Sequence, residues 1–110
     1  MNYLVPDDFY LFQNYPNPFK EKTTIKYCMA YKTKVRISIY NSEGEMIEKL
    51  VDEAKEAGTY EVEFSNYKCH SGESRNLLKG IYFYQMKAGD YLSEKEMILL
   101  KEKNESVHSK

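Results

Sequence analysis

Hydrophobic and polar residues alternate along three separate stretches of this chain, at residues 24–29, 34–39 and 59–64. The apolar members are Ile25, Tyr27, Met29, Val35, Ile37, Ile39, Tyr60, Val62 and Phe64. Their neighbours on the other face are Thr24, Lys26, Cys28, Lys34, Arg36, Ser38, Thr59, Glu61 and Glu63. A period of two is typical of β-strands that bury one face and leave the other in water. We therefore predict three strands, and we expect the apolar side chains of the second and third stretches to face the core.

The last third of the chain predicts two more strands joined by a tight turn. Residues 80–88 start at Gly80 and are apolar on both faces at first, which suits a strand in the middle of a sheet. Residues 88–90 (Ala-Gly-Asp) form a turn signal, and residues 91–100 return as the last strand.

The beginning of the chain is rich in aromatic residues but less regular. Residues 9–19 (FYLFQNYPNPF) contain Pro16 and Pro18, which fix φ and remove backbone donors. We expect an extended, irregular segment here rather than a central strand. Residues 1–8 are predicted to be a lead-in, and residues 102–110 a polar tail.

Residues 42–57 match a helix as well as a strand. Ser42 precedes Glu45 by three residues, as in a capping box, and apolar residues follow at helical spacing up to Gly58. Residues 93–103 show the same pattern. Against a helix, residues 41–44 form a plausible hairpin turn directly after a predicted strand. Local propensity alone leaves both alternatives open.

Composition narrows the classes of function. The chain has 110 residues, with 16 basic and 17 acidic side chains and a formal net charge of −1. This balance argues against a nucleic-acid surface, which needs a basic excess on one face. The 11 Tyr and 5 Phe, with no Trp, suit strands. The first twenty residues contain no continuous apolar run, so we expect no signal peptide and a domain cut from a longer parent.

Residues suited to catalysis or metal binding are scarce. Cys69 and His70 are adjacent and point apart in a strand or loop, while His108 lies in the polar tail. With Cys28 they offer too few well-spaced ligands for a zinc site. Glu61 and Glu63 have a spacing that a carboxylate pair could use, but alternation already demands polar residues there. We predict no enzyme, no cofactor and no metal, and we expect Cys28 and Cys69 to be unpaired.

Three segments, in order along the chain, resemble one known family. They are Q-N-Y-P-N-P-F at residues 13–19, V-R-I-S-I-Y-N-S-E-G at 35–44, and K-G-I-Y-F-Y-Q-M-K-A at 79–88. The chain is similar here to the type A C-terminal sorting domain of proteins exported by type IX (Por) secretion. The likeness spans roughly residues 6–101, including the Gly89-Asp90 turn and residues 97–101.

The resemblance implies an all-β, immunoglobulin-like, seven-stranded antiparallel β-sandwich over residues 9–101. It favours the strand alternative for residues 46–51. It also implies a non-catalytic address on a longer exported precursor that passes from the periplasm to the cell surface or the medium. The expected partners are the outer-membrane translocon, a sortase and an upstream cargo domain, with no nucleic acid and no small-molecule substrate. A generic immunoglobulin-like interaction or adhesion module is the alternative.

A folded address must be read through exposed groups on rigid strands or through an open sheet edge. The positions of this chain that match the family at its last two strands are therefore the candidate recognition residues. They are Gly80, Gly89, Asp90, Lys95, Met97 and Lys101. We expect Lys95 and Lys101 to flank the edge of the last strand and to set the register of a partner.

Overall fold

A computed structural model describes residues 8–65, 67–68, 73–74 and 77–100 of the chain. Its strands are β1 (Tyr10–Leu11), β2 (Lys22–Met29), β3 (Thr33–Tyr40), β4 (Met46–Lys55), β5 (Gly58–Ser65), β6 (Tyr67–Lys68), β7 (Glu73–Ser74), β8 (Gly80–Ala88) and β9 (Tyr91–Leu99). This part of the chain contains no helix, so none is present that could span a membrane.

Seven of the strands form two antiparallel sheets that pack face to face. The three-stranded sheet has the order β1-β2-β5, and the four-stranded sheet has the order β4-β3-β8-β9. Strands β6 and β7 pair only with each other. In immunoglobulin constant domains the fourth strand joins the sheet that holds the first two. Here β4 pairs with β3 instead, across the hairpin that joins them. The predicted immunoglobulin-like β-sandwich is confirmed.

The core lies between the two sheets and follows the alternation of the sequence. The fully buried apolar residues are Leu11, Phe19, Ile25, Tyr27, Met29, Val35, Ile37, Ile39, Phe64, Tyr84, Met86, Ala88, Met97 and Leu99. Tyr60 and Val62 are partly buried and pack against this cluster. The outward neighbours Lys34, Arg36 and Glu61 are exposed. The predicted inward faces of the alternating strands are therefore correct. The expectation that Ser38 lies in water with Lys34 and Arg36 is wrong, because Ser38 is only 2 % exposed.

Residues 46–51 are a strand, so the helical alternative for this stretch is wrong. The turn before it is held by Asn41, whose Oδ1 accepts hydrogen bonds of 2.9 Å from the N–H groups of both Glu43 and Glu45. Gly44 supplies the positive φ of +87° that the turn needs. Pairing with β3 then outweighs the local helix propensity. The β3–β4 register shifts twice, which places β-bulges on β4.

Candidate functional site

The last strand, β9, lies at the edge of the four-stranded sheet, and among the described strands its partner is β8. The register runs from Gly80 opposite Leu99 to Ala88 opposite Tyr91, so the whole length of the hairpin is paired. The turn uses Gly89 with a φ of +59°, a conformation that favours glycine. The hairpin is thus continuously paired from its turn to its open end.

The candidate recognition residues are spread along this hairpin and do not form one cluster. Gly80 lies at its open end, while Gly89 and exposed Asp90 form its turn, roughly 25–30 Å away along the strand. The side chain of Lys95 is half-buried. The side chain of Met97 is 0 % exposed and belongs to the core.

Lys101 lies outside the described residues, and so does Cys69. Cys28 is a free cysteine in the structure, with its Sγ 3.6 Å from Oγ1 of Thr59.

The outer edge of β9 is covered near its end by the segment before β2. The N–H of Phe19 donates to the carbonyl oxygen of Ile98 at 2.9 Å, and the N–H of Leu100 donates back to Phe19 O at 2.8 Å. One step earlier along β9, Asn17 Oδ1 accepts a 2.9 Å hydrogen bond from the N–H of Ile98. Gln13 Nε2 reaches Glu96 O at 2.6 Å. We call residues 13–19 the edge cover.

Buried polar groups hold the edge cover in shape. Asn14 and Thr23 are 2 % and 1 % exposed, and Nδ2 of Asn14 donates to Oγ1 of Thr23 at 2.9 Å. The hydroxyl of Thr23 donates to the carbonyl oxygen of Pro16 at 2.8 Å, and Asn14 Nδ2 lies 3.1 Å from the same oxygen. A buried polar group is tolerated when it is hydrogen-bonded, as it is here. The cover is therefore a built part of the fold.

We expected the edge of the last strand to be open, but the edge cover occupies part of it. Sequence reasoning singled out residues 13–19 and residues 97–101 as separate motifs, whereas the structure joins them. From Glu96 to Leu100 the outward backbone groups of β9 are largely occupied by the cover. The signal in the sequence is the combination of amide side chains with two prolines, because prolines prevent the segment from pairing as a regular strand.

Two buried tyrosines of the core have raised pKa values. Burial raises the pKa of the Tyr27 hydroxyl to about 12. It also raises the pKa of Tyr84, whose hydroxyl donates to Phe12 O at 2.7 Å. Among the described ranges, no group of three or more His, Cys, Asp or Glu side chains is placed to hold a metal ion.

A family comparison decides what this arrangement belongs to. The family described as secretion system C-terminal sorting domain matches residues 13–101. The chain belongs to this family of type IX sorting domains. The match starts at Gln13, which bonds Glu96, and it therefore includes both the edge cover and the strand that it covers. Membership in the type IX sorting family marks the protein that carries the domain as exported. No curated protein matches the chain.

Proposed function

We propose that this sorting domain acts without catalysis, as an address that directs an attached cargo across the outer membrane by type IX secretion. Its partners are then the translocon and sortase of that pathway, and its route leads from the periplasm to the cell surface or the medium. The family match over residues 13–101 carries the proposal. On this proposal the domain comprises residues 9–101, and residues 102–110 are not needed.

The folded hairpin of β8 and β9 is the element that we propose the machinery reads. Asp90 is exposed at the turn, and Lys95 lies half-buried on the strand. Gly80 and Gly89 fix the two ends of β8 through their positive φ angles of +141° and +59°. Met97 acts through the core, by fixing the position of β9. With Lys101, the residues Gly80, Gly89, Asp90 and Lys95 remain the proposed recognition set, and the role proposed for Met97 is to position them.

A reporter fusion tests the function. A reporter with an inner-membrane export signal is fused in front of the domain and expressed in a type IX-competent cell. We expect the reporter at the cell surface, with delivery retained when residues 102–110 are deleted and lost when residues 91–101 are deleted. A thermal melt of the variant that lacks residues 91–101 separates lost recognition from lost folding.

The matched positive control is a sorting domain of known activity on the same reporter. If that control is delivered while this domain leaves the reporter in the periplasm, the address hypothesis is wrong. The chain would then be an immunoglobulin-like interaction module.

A further inference from the structure

The outer face of the four-stranded sheet, on the side away from the core, changes character along its length. Register partners across the strands form four rows: Ile81 and Ile98; Met46, Tyr40, Phe83 and Glu96; Lys49, Ser38, Gln85 and Glu94; Asp52, Arg36, Lys87 and Leu92. The first two rows are mainly apolar and the last two are mainly polar. We call Met46, Tyr40, Ile81, Phe83 and Ile98 the apolar patch.

Folding of the domain does not explain this patch. Met46, Ile81 and Ile98 are 49 %, 45 % and 38 % exposed, and no described element packs over them. The outer face of an antiparallel sheet in a sandwich is usually polar. The alternating neighbours Tyr82 and Tyr84 already supply the buried face of β8. Contiguous exposed apolar side chains on a rigid sheet are typical of an interaction surface.

The surface around the apolar patch contains three adjoining hollows. One lies between Leu78 and Ile81 and reaches Asn41 and Ser42. The next shares those two residues and is lined by the residues Tyr40, Asn41, Ser42, Gly44, Phe83, Gln85 and Glu94. The third shares Phe83 and Glu94 and extends to Gln13 of the edge cover. The three hollows therefore adjoin one another from the β3–β4 turn to the edge cover, with Tyr40, Ile81 and Phe83 of the apolar patch in their walls, and we call them together the groove.

Three carboxylates and two lysines line this groove: Glu43 and Lys79 in the first hollow, Glu94 in the second, and Glu94, Glu96 and Lys95 in the third. Among the residues that line the second hollow, beside Phe83, exposed Glu94 is the one charged side chain. Within the described ranges neither Glu43 nor Glu94 takes part in an ion pair, although Gln85 Nε2 lies 3.4 Å from Glu94 Oε1. The cations Lys34, Arg36 and Lys49 at the other end of the face are instead gathered around Asp52. Complementarity favours a partner with positive charge beside an apolar side chain.

We propose that the groove over the apolar patch docks a protein surface of the secretion machinery. That surface presents an aliphatic or aromatic side chain to Phe83 and Ile81, and a lysine or arginine to Glu94. The proposal rests on the sorting function above and names the face by which the folded domain is held. Aromatic anchors at the centre of such surfaces carry much of the binding energy, and charges at the rim guide association.

The test uses the reporter fusion with variants of the groove and matched controls outside it. Ile81→Ser combined with Phe83→Ser should lower surface delivery about tenfold, as expected when anchor contacts are lost. Leu92→Ser, on the same face but outside the groove, should leave delivery unchanged. Glu94→Lys should lower delivery, whereas Glu61→Lys on the opposite sheet should not. Each purified variant is melted, and a Tm within about 4 °C of the parent shows that it remains folded.

The outcomes separate this proposal from the function on which it rests. If the parent domain is not delivered, the sorting function fails. If the parent is delivered and the folded double-serine variant is delivered equally well, the docking proposal is overturned and the function stands. If that variant does not fold, Glu94→Lys decides, and undiminished delivery overturns the proposal. Sedimentation tests a second copy as occupant: a parent dimer that Phe83→Ser makes monomeric, with delivery intact, also overturns it.

Discussion

Gln13 donates a 2.6 Å hydrogen bond through its side-chain amide to the backbone carbonyl of Glu96, 83 residues further along the chain. In the same short segment, Asn17 Oδ1 accepts a hydrogen bond from the N–H of Ile98. A side chain that accepts from an edge N–H replaces the bond that a neighbouring strand would make. Residues 13–19 therefore occupy the edge of the last strand from Glu96 to Leu100, where another chain could otherwise pair.

Asn17→Ala should weaken this protection. Loss of one hydrogen bond to a backbone group is expected to lower the free energy of unfolding by about 1 kcal/mol. The amide of Ile98 should also exchange faster with solvent, because its acceptor is removed. Hydrogen exchange followed by mass spectrometry or NMR measures the effect, with Gln85→Ala on the outer face as control. Unchanged protection at Ile98 would show that the side chain of Asn17 does not hold the edge.

Phe64→Ala should destabilise the domain far more than any substitution on its surface. Phe64 is fully buried and lies edge-to-face with Phe19, at a centroid distance of 6.1 Å. Removing a buried phenyl ring leaves a cavity and lowers stability by about 3–5 kcal/mol. Denaturant titration measures the loss. Tyr15→Ala is the control, because that side chain is 80 % exposed and its removal should change stability by less than about 0.5 kcal/mol.

Stability should fall at high pH because Tyr27 is buried. Its pKa in the folded state is raised to about 12, first by burial and then by the nearby Tyr60 and Glu53. In the unfolded chain a tyrosine ionises near pH 10. The stability that the folded protein gains from keeping Tyr27 protonated is therefore complete below about pH 10 and is lost as the pH rises towards 12.

Denaturation midpoints between about pH 8 and 12 measure this loss, which amounts to about 1.4 kcal/mol for each unit of pKa difference. Tyr27→Phe should flatten the profile, although it leaves the contribution of Tyr84. A profile that is identical in the parent and in Tyr27→Phe would contradict the assignment.

Both cysteine thiols should be free. Cys28 is on the outward side of β2, next to Thr59 of β5, and a disulfide needs Cα atoms within about 7 Å of each other. Titration of the unfolded, unreduced protein should therefore find two thiols for each chain. A sample that has been reduced first is the control, because it gives the thiol titre of two free cysteines. The absence of free thiol before reduction would mean that Cys28 and Cys69 are bridged.

Alternation is sufficient to predict the sandwich and most of its core, because a half-buried strand places its apolar residues with period two. It is insufficient for β4, where Met46, Ile47, Leu50 and Val51 fit a helix equally well. Pairing with β3 decides that strand, and pairing is a tertiary property that no local window contains. The edge cover escapes sequence reasoning for the same cause, since Gln13 and Asn17 find their partners more than eighty residues away.

Because of this separation along the chain, the edge cover can take up its position only when the last strand is present. Gln13, Asn17 and Phe19 lack their hydrogen-bond partners on β9 until the polypeptide has continued through Leu100. A product that is shortened or clipped before Glu96 therefore also loses the hydrogen bonds that hold residues 13–19 against β9. The ordering of residues 13–19 and the integrity of residues 96–100 therefore depend on each other.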